Sequence, residues 1–162
     1  MTDTADHPRH SEMSNTQPNF RESRPADLSA IRIILAEANL SFHSGPASTT
    51  TDPAALRTHV CELGGAVIAV LQWRLVGPEA EVLDLAVAAR HRRQGIASFA
   101  LTEFLRLAEA AAVREILLEV RESNSAAIRL YTKFGFTISG RRNNYYRDTN
   151  EAALLLRRSL SG

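Results

Sequence analysis

The sequence predicts an α/β fold in which a mixed, mostly antiparallel sheet is flanked by helices. Three observations predict it. His59–Leu63 and Ala66–Val76 read as two strands joined by a Gly64-Gly65 turn. The apolar stretch EVLDLAVA (81–88) runs through a charged turn into a helical pattern and then into a further strand, EILLEVR (115–121). A short helix closed by Gly135 precedes two more strand-like stretches. Antiparallel hairpins leading into a strand–helix–strand crossover define a mixed α/β domain.

Each element has a local justification. Residues 1–20 (MTDTADHPRHSEMSNTQPNF) are polar and nearly free of aliphatics, so a disordered leader is expected there, with order starting near Phe20. Residues 21–162 are expected to form one domain. Pro25 at a first helical position, followed by Asp27, opens a helix whose apolar positions are Leu28, Ile31, Leu35 and Ala38. Asn39 to Asp52 is rich in Ser and Thr and contains Gly-Pro, which predicts a loop, with a turn of helix over Pro53 to Arg57. After the hairpin, Gly77-Pro78-Glu79 is a second turn and Glu81 to Ala88 a third strand. Gly95 to Val113 is helical, with Ile96, Phe99, Ala100, Phe104, Leu107, Ala108 and Ala111 on one stripe. Glu115–Arg121 is a strand, Ser125–Phe134 a helix, and Thr137–Arg147 and Ala152–Arg158 the last two strands.

Composition narrows the function classes. An apolar fraction of 44% supports a packed core, and a formal net charge of +1 argues against a general nucleic-acid binder. No apolar run reaches the ~18 residues of a membrane span, and the N-terminus lacks the pattern of a secretion signal, so a cytoplasmic, membrane-free protein is expected. Cys61 is the single cysteine and reads as buried filler. His7 and His10 lie in the polar leader and read as solvated, so no metal site is expected.

Four groups of residues carry candidate chemistry. RHRRQGIA (90–97) sits between a strand and a helix, where unpaired N–H groups and the helix dipole attract anions. Gly95 lets the backbone turn sharply there, and Arg92 and Arg93 add charge for outlying phosphates; the alternative is a solvated charge cluster. Glu119 stands in mid-strand, on the face opposite Ile116, Leu118 and Val120, together with Leu117 and Arg121. A carboxylate in an apolar strand costs several kcal/mol to bury unless it is paired or used; the alternative is a solvent-facing pair with Arg121. Tyr131 lies on the inward face of its helix, either as a core residue or as a proton donor facing a cleft. Asn124 reads as the cap of that helix, and an amide that also touches a ligand is the alternative.

Taken together, LDLAVAARHRRQGIA, LEVRESNSAAIRLYTKFGF and RRNNYY resemble the GCN5-related N-acetyltransferase (GNAT) family over roughly residues 24–158. Arg92-x-x-Gly95-x-Ala97 is similar to the family's acetyl-CoA signature, and the second and third stretches resemble its ribosomal-protein alanine N-acetyltransferase branch, the RimI type. The resemblance implies the acyl-CoA N-acyltransferase fold, with a sheet splayed at the cofactor site, acetyl-CoA as cosubstrate and no metal. By position it implies that the backbones of Leu85, Ala86 and Val87 pair with the pantetheine arm, and that the amides of Arg93, Gln94, Gly95, Ile96, Ala97 and Ser98 hold the diphosphate. Asn124 then contacts the thiol end, Glu119 is the general base and Tyr131 the general acid. Tyr145 and Tyr146 fall where the branch encloses the acceptor's first residue, and strand alternation allows only one of them to face it.

The implied acceptor is the α-amino group of a protein starting with alanine, a ribosomal protein in that branch. An acetyltransferase for a small amine and a non-catalytic acyl-CoA-binding module are the alternatives. The second needs neither Glu119 nor Tyr131.

Overall fold

The computed structural model describes residues 17–40 and 56–160. Its elements are β1 (Asn19–Glu22), α1 (Leu28–Glu37), β2 (Arg57–Leu63), β3 (Ala66–Val76), β4 (Glu79–Val87), α2 (Ile96–Ala110), β5 (Glu115–Arg121), α3 (Ser125–Lys133), β6 (Thr137–Tyr146) and β7 (Glu151–Ser159). One seven-stranded sheet runs in the order β1-β2-β3-β4-β5-β7-β6. Only β4 and β5 pair in parallel, and α2 is the crossover between them.

The main expectations hold, with instructive departures. β1 was not foreseen: its four residues, NFRE, carry one large apolar side chain and pair with β2 at the sheet edge. Arg21 fastens it by reaching both Asp27, at 2.7 Å, and Glu62. Pro25 opens a 3₁₀ turn, Pro25–Asp27, rather than α1 itself. The buried face of α1 is Ile31, Ile34 and Leu35, and Leu28 is 44% exposed, so the expected stripe is rotated. α2 ends at Ala110, short of Val113, because Ala112 adopts a left-handed conformation (φ 56°) that closes the helix. Arg57 belongs to β2 and Leu56 to no helix; residues 53–55 of that expected turn, the Asn39–Asp52 loop beyond residue 40, and leader residues 1–16 lie outside the described residues.

Two irregularities create the space used by the site. Gln72 pairs with Asp84 but Trp73 pairs with Val82, so Leu83 is an extra residue in β4, a β-bulge. β4 and β5 pair over four rungs, from Glu79↔Glu115 to Val82↔Leu118, and then separate. Beyond the bulge β4 pairs with β3 alone, while Glu119 to Arg121 pair with β7 alone. A bulge bends its strand and increases the local twist, which accounts for the splay beginning at Leu83. The core on the α2 side, including Trp73, Leu101, Phe104, Ile116, Leu118 and Leu156, holds the two halves of the sheet together below the gap.

Candidate active site

Where β4 and β5 part, a cavity of about 620 Å³ opens between the end of β4, the start of α2, the end of α1 and one face of α3. β4 contributes Leu85, Ala86 and Val87, and the entrance to α2 contributes Arg93, Gly95, Ile96, Ala97 and Ser98. Asn124 and Tyr131 line the side formed by α3.

The entrance to α2 presents unpaired donors. Gly95 is its N-cap with φ 80°, and Arg93 is also left-handed at φ 61°. A non-glycine residue in that region stores strain, a feature concentrated at ligand sites. Among the described residues the amide of Phe99 is the first to close onto the helix, reaching Gly95 O at 2.9 Å. The N–H groups of Arg93 to Ser98 have no backbone acceptor among the described residues. No capping side chain among the described residues satisfies them.

Tyr131 is 7% exposed, packs edge-on against Phe136 at 5.4 Å, and has a face on the cavity. Burial, with the negative charge of Asp84 adding to it, pushes its pKa well above that of an ordinary phenol, so it keeps its proton. Asn124 accepts from Ala127 N–H at 3.1 Å, the capping bond expected from sequence.

Glu119 lies just past the last β4–β5 rung, on the face of β5 opposite Ile116, Leu118 and Val120, as the alternation predicts. It is 23% exposed and does not line the cavity itself. Its ion-pair partner is Arg142 of β6, at 2.8 Å, and not the Arg121 suggested by proximity in sequence. Arg121 instead binds Asp148 and Glu151 and stacks on the Tyr146 ring at 3.9 Å.

The tyrosine pair departs from expectation. Arg142 pairs with Ala153 and Tyr146 with Glu151, so β6 spends two extra residues there, and Asn144 is left-handed at φ 51°. That wide bulge breaks the two-residue alternation. Tyr145 and Tyr146 therefore do not point to opposite faces: their rings meet edge-on at 5.2 Å, one beside Glu119 and Arg142, the other under Arg121. A hydrogen bond to Glu119 raises the Tyr145 pKa.

The model of the acetyltransferase (GNAT) family matches residues 20–136. The chain belongs to the GNAT family. The bS18-alanine N-acetyltransferase of Escherichia coli K12 is 38% identical over 77 residues, covering 48% of this chain and 52% of that protein. An N-alpha-acetyltransferase of Sulfurisphaera tokodaii is 39% identical over 75 residues, covering 46% and 45%. The chain thus spans about half the length of the curated relatives it matches. Among solved structures, Ard1 from Thermoplasma volcanium superposes with a TM-score of 0.77 at 27% identity, covering 90% of this chain and 99% of the other. The E. coli ribosomal-protein-S18-alanine N-acetyltransferase gives 0.73 at 26%, covering 90% and 97%. The fold is therefore the GNAT fold, and the family's cosubstrate is acetyl-CoA.

Within this GNAT chain, one basic-loop residue, Arg92, differs from the sequence expectation. The Gln94 side chain donates to Arg90 O at 3.2 Å, which leaves its backbone N–H as open as those beside it. Arg92 spends its guanidinium on the protein, donating to Val87 O at 3.0 Å and to Glu37 O at 3.1 Å, while Glu37 Oε2 accepts from Ala89 N–H at 2.8 Å. The end of α1, Glu37 to Asn39, is the wall that sequence reasoning missed; the one local signal was Asn39, a left-handed residue at a helix end. Cys61 is buried, and burial pushes its thiol up to about 12, which removes it as a nucleophile.

Proposed function

We propose that this acetyltransferase acts on the α-amino group of a protein N-terminus beginning with alanine, with a ribosomal protein as its acceptor. The observation that carries the reading is the cavity at the splay, lined by Tyr131, with Glu119 on β5 just past the last β4–β5 rung. Tyr131 faces the cavity with its proton retained, and Glu119 stands beyond the last β4–β5 rung beside both tyrosines. The curated relatives from E. coli and S. tokodaii, both named as acetylating α-amino groups or alanine N-termini, support the choice of acceptor.

The residues present fit the cosubstrate. Open N–H groups from Arg93 to Ser98 at a helix N-terminus suit a diphosphate, and the unpaired edge of β4 at Leu85 to Val87 suits the amides of an extended arm. Asn124 lines the same cavity as that edge and Tyr131. Acetyl-CoA supplies a thioester carbonyl. The acceptor's amine attacks it directly, Glu119 takes the ammonium proton through a water, and Tyr131 gives its proton to the departing thiolate. An α-amino group has a pKa near 7.7 to 8.0, against about 10.4 for lysine, so a single carboxylate suffices for the N-terminal acceptor.

Mass spectrometry of an alanine-starting peptide incubated with protein and acetyl-CoA tests the reading. Acetylation at the α-amine is expected. No α-acetylation, with small amines accepted instead, would transfer the assignment to a small-molecule acetyltransferase.

A further inference from the structure

The sheet face that spans β5, β7 and β6 gathers Glu119, Arg142 and Tyr145, and of these the proton transfers themselves require only Glu119. Arg142 Nη1 lies 2.8 Å from Glu119 Oε1. The Arg142 guanidinium also lies 5.6 Å from the centre of the Tyr145 ring, and the neighbouring Glu119 raises the Tyr145 pKa. The wide bulge in β6 makes this closure possible. Arg142 sits in the rung Arg121–Ala153–Arg142, next but one to the rung of Glu119, Leu155 and Gly140, so it reaches its carboxylate diagonally. Gly140 shares the rung of Glu119 on the far side of Leu155 and brings no side chain of its own to it.

We infer that Arg142 is a positioning residue for acetyl transfer: it fixes one oxygen of Glu119 against the Tyr145 ring, so that the carboxylate stands ready for the acceptor's ammonium proton. The inference rests on the reading of Glu119 as the base. Arg142 has no part in the proton transfers themselves. The N–H proton of the amine passes through water to Glu119, the N–C bond forms as the C–S bond breaks, and the thiolate takes the Tyr131 proton. Arg142 limits only the freedom of the group that receives the first proton. A carboxylate on a partly exposed strand otherwise samples several rotamers, and misplacing a reacting group by an ångström costs up to about a hundredfold in rate. The guanidinium fork and the aromatic ring together restrict that sampling, which a lone ammonium does less well.

The test is a double-mutant cycle on the full chain, read with an alanine-starting peptide and acetyl-CoA. Arg142 is 54% exposed, so Arg142→Met should fold, and a thermal melt checks that it does. Arg142→Met should lower kcat about tenfold and leave KM for acetyl-CoA within about twofold. Arg142→Lys should recover part of the loss. In a Glu119→Gln background, Arg142→Met should add no further loss, because the group it positions is already gone. Unchanged kcat in Arg142→Met, or losses that multiply in the double variant, would overturn the inference while leaving Glu119 as base. Full turnover in Glu119→Gln alone would overturn the underlying reading as well.

Discussion

Arg92 Nε donates to the carbonyl of Val87 at 3.0 Å, turning the first residue of the proposed acetyl-CoA signature back onto the strand end that opens the cavity. Its second donor holds the Glu37 carbonyl, so one side chain pins the ends of both β4 and α1 to the basic loop. The charge therefore shapes the cradle in this structure, whereas the sequence suggested a direct phosphate contact. Arg92→Lys, which keeps the charge but loses the fork, should raise KM for acetyl-CoA by about tenfold and lower kcat far less. Initial-rate kinetics with varied acetyl-CoA check this; a KM equal to that of the wild type would return Arg92 to the role of a solvated charge.

Gly95 offers a second handle on the same cradle. Its φ of 80° is the reason for glycine, since an added Cβ would meet nothing within 4 Å. Gly95→Ala should therefore cost about 1–2 kcal/mol of stability through backbone strain alone. If the loop relaxes to relieve it, the amides move and acetyl-CoA binding weakens too. A thermal melt and a binding titration measure the two effects separately.

The proton-transfer roles predict unequal losses. Glu119→Gln should reduce kcat about a hundredfold with acetyl-CoA affinity retained, because the residue lies outside the cavity lining. Tyr131→Phe should cost about tenfold, since a thiolate is a fair leaving group without help and needs its proton least at alkaline pH. Isothermal titration and steady-state kinetics on the same preparations settle whether binding and turnover separate in this way.

A pH effect on stability arises away from the site. His59 is buried, stacks on Phe20 at 5.0 Å and accepts from Trp73 Nε1 at 3.2 Å through its Nδ1. Burial lowers its pKa below the usual value of 6.5. The unfolded chain therefore binds the proton first, so the contribution of neutral His59 is complete above pH 6.5 and is lost as pH falls below it. Melting temperatures between pH 7.5 and 5.5 should drop more steeply for wild type than for His59→Phe. Parallel slopes would contradict the assignment.

Much of this was legible in the sequence because periodicity and turn residues act locally. EILLEVR gave β5 to the residue, and the Gly64-Gly65 turn gave the β2–β3 hairpin. The basic loop, β4 end, Asn124 and Tyr131 were placed on one cavity by their motifs. The exceptions come from features that leave no periodic mark. Leu83 and the Asn143–Tyr145 region are bulges, whose extra residues become visible only when the partner strand fixes the register. That is why Tyr145 and Tyr146 were expected on opposite faces and are found together. The Glu119–Arg142 pair spans two strands across β7, a distance that sequence proximity hides, and β1 is too short and polar to signal itself.

The account depends most on the helix N-terminus at Gly95 receiving the coenzyme's diphosphate. An amide-resolved NMR titration with coenzyme A measures that contact directly. The largest shifts should fall on the N–H groups of Arg93 to Ser98, with Leu85 to Val87 following. Saturable binding that leaves those amides unmoved, or shifts confined to another face of the molecule, would contradict it.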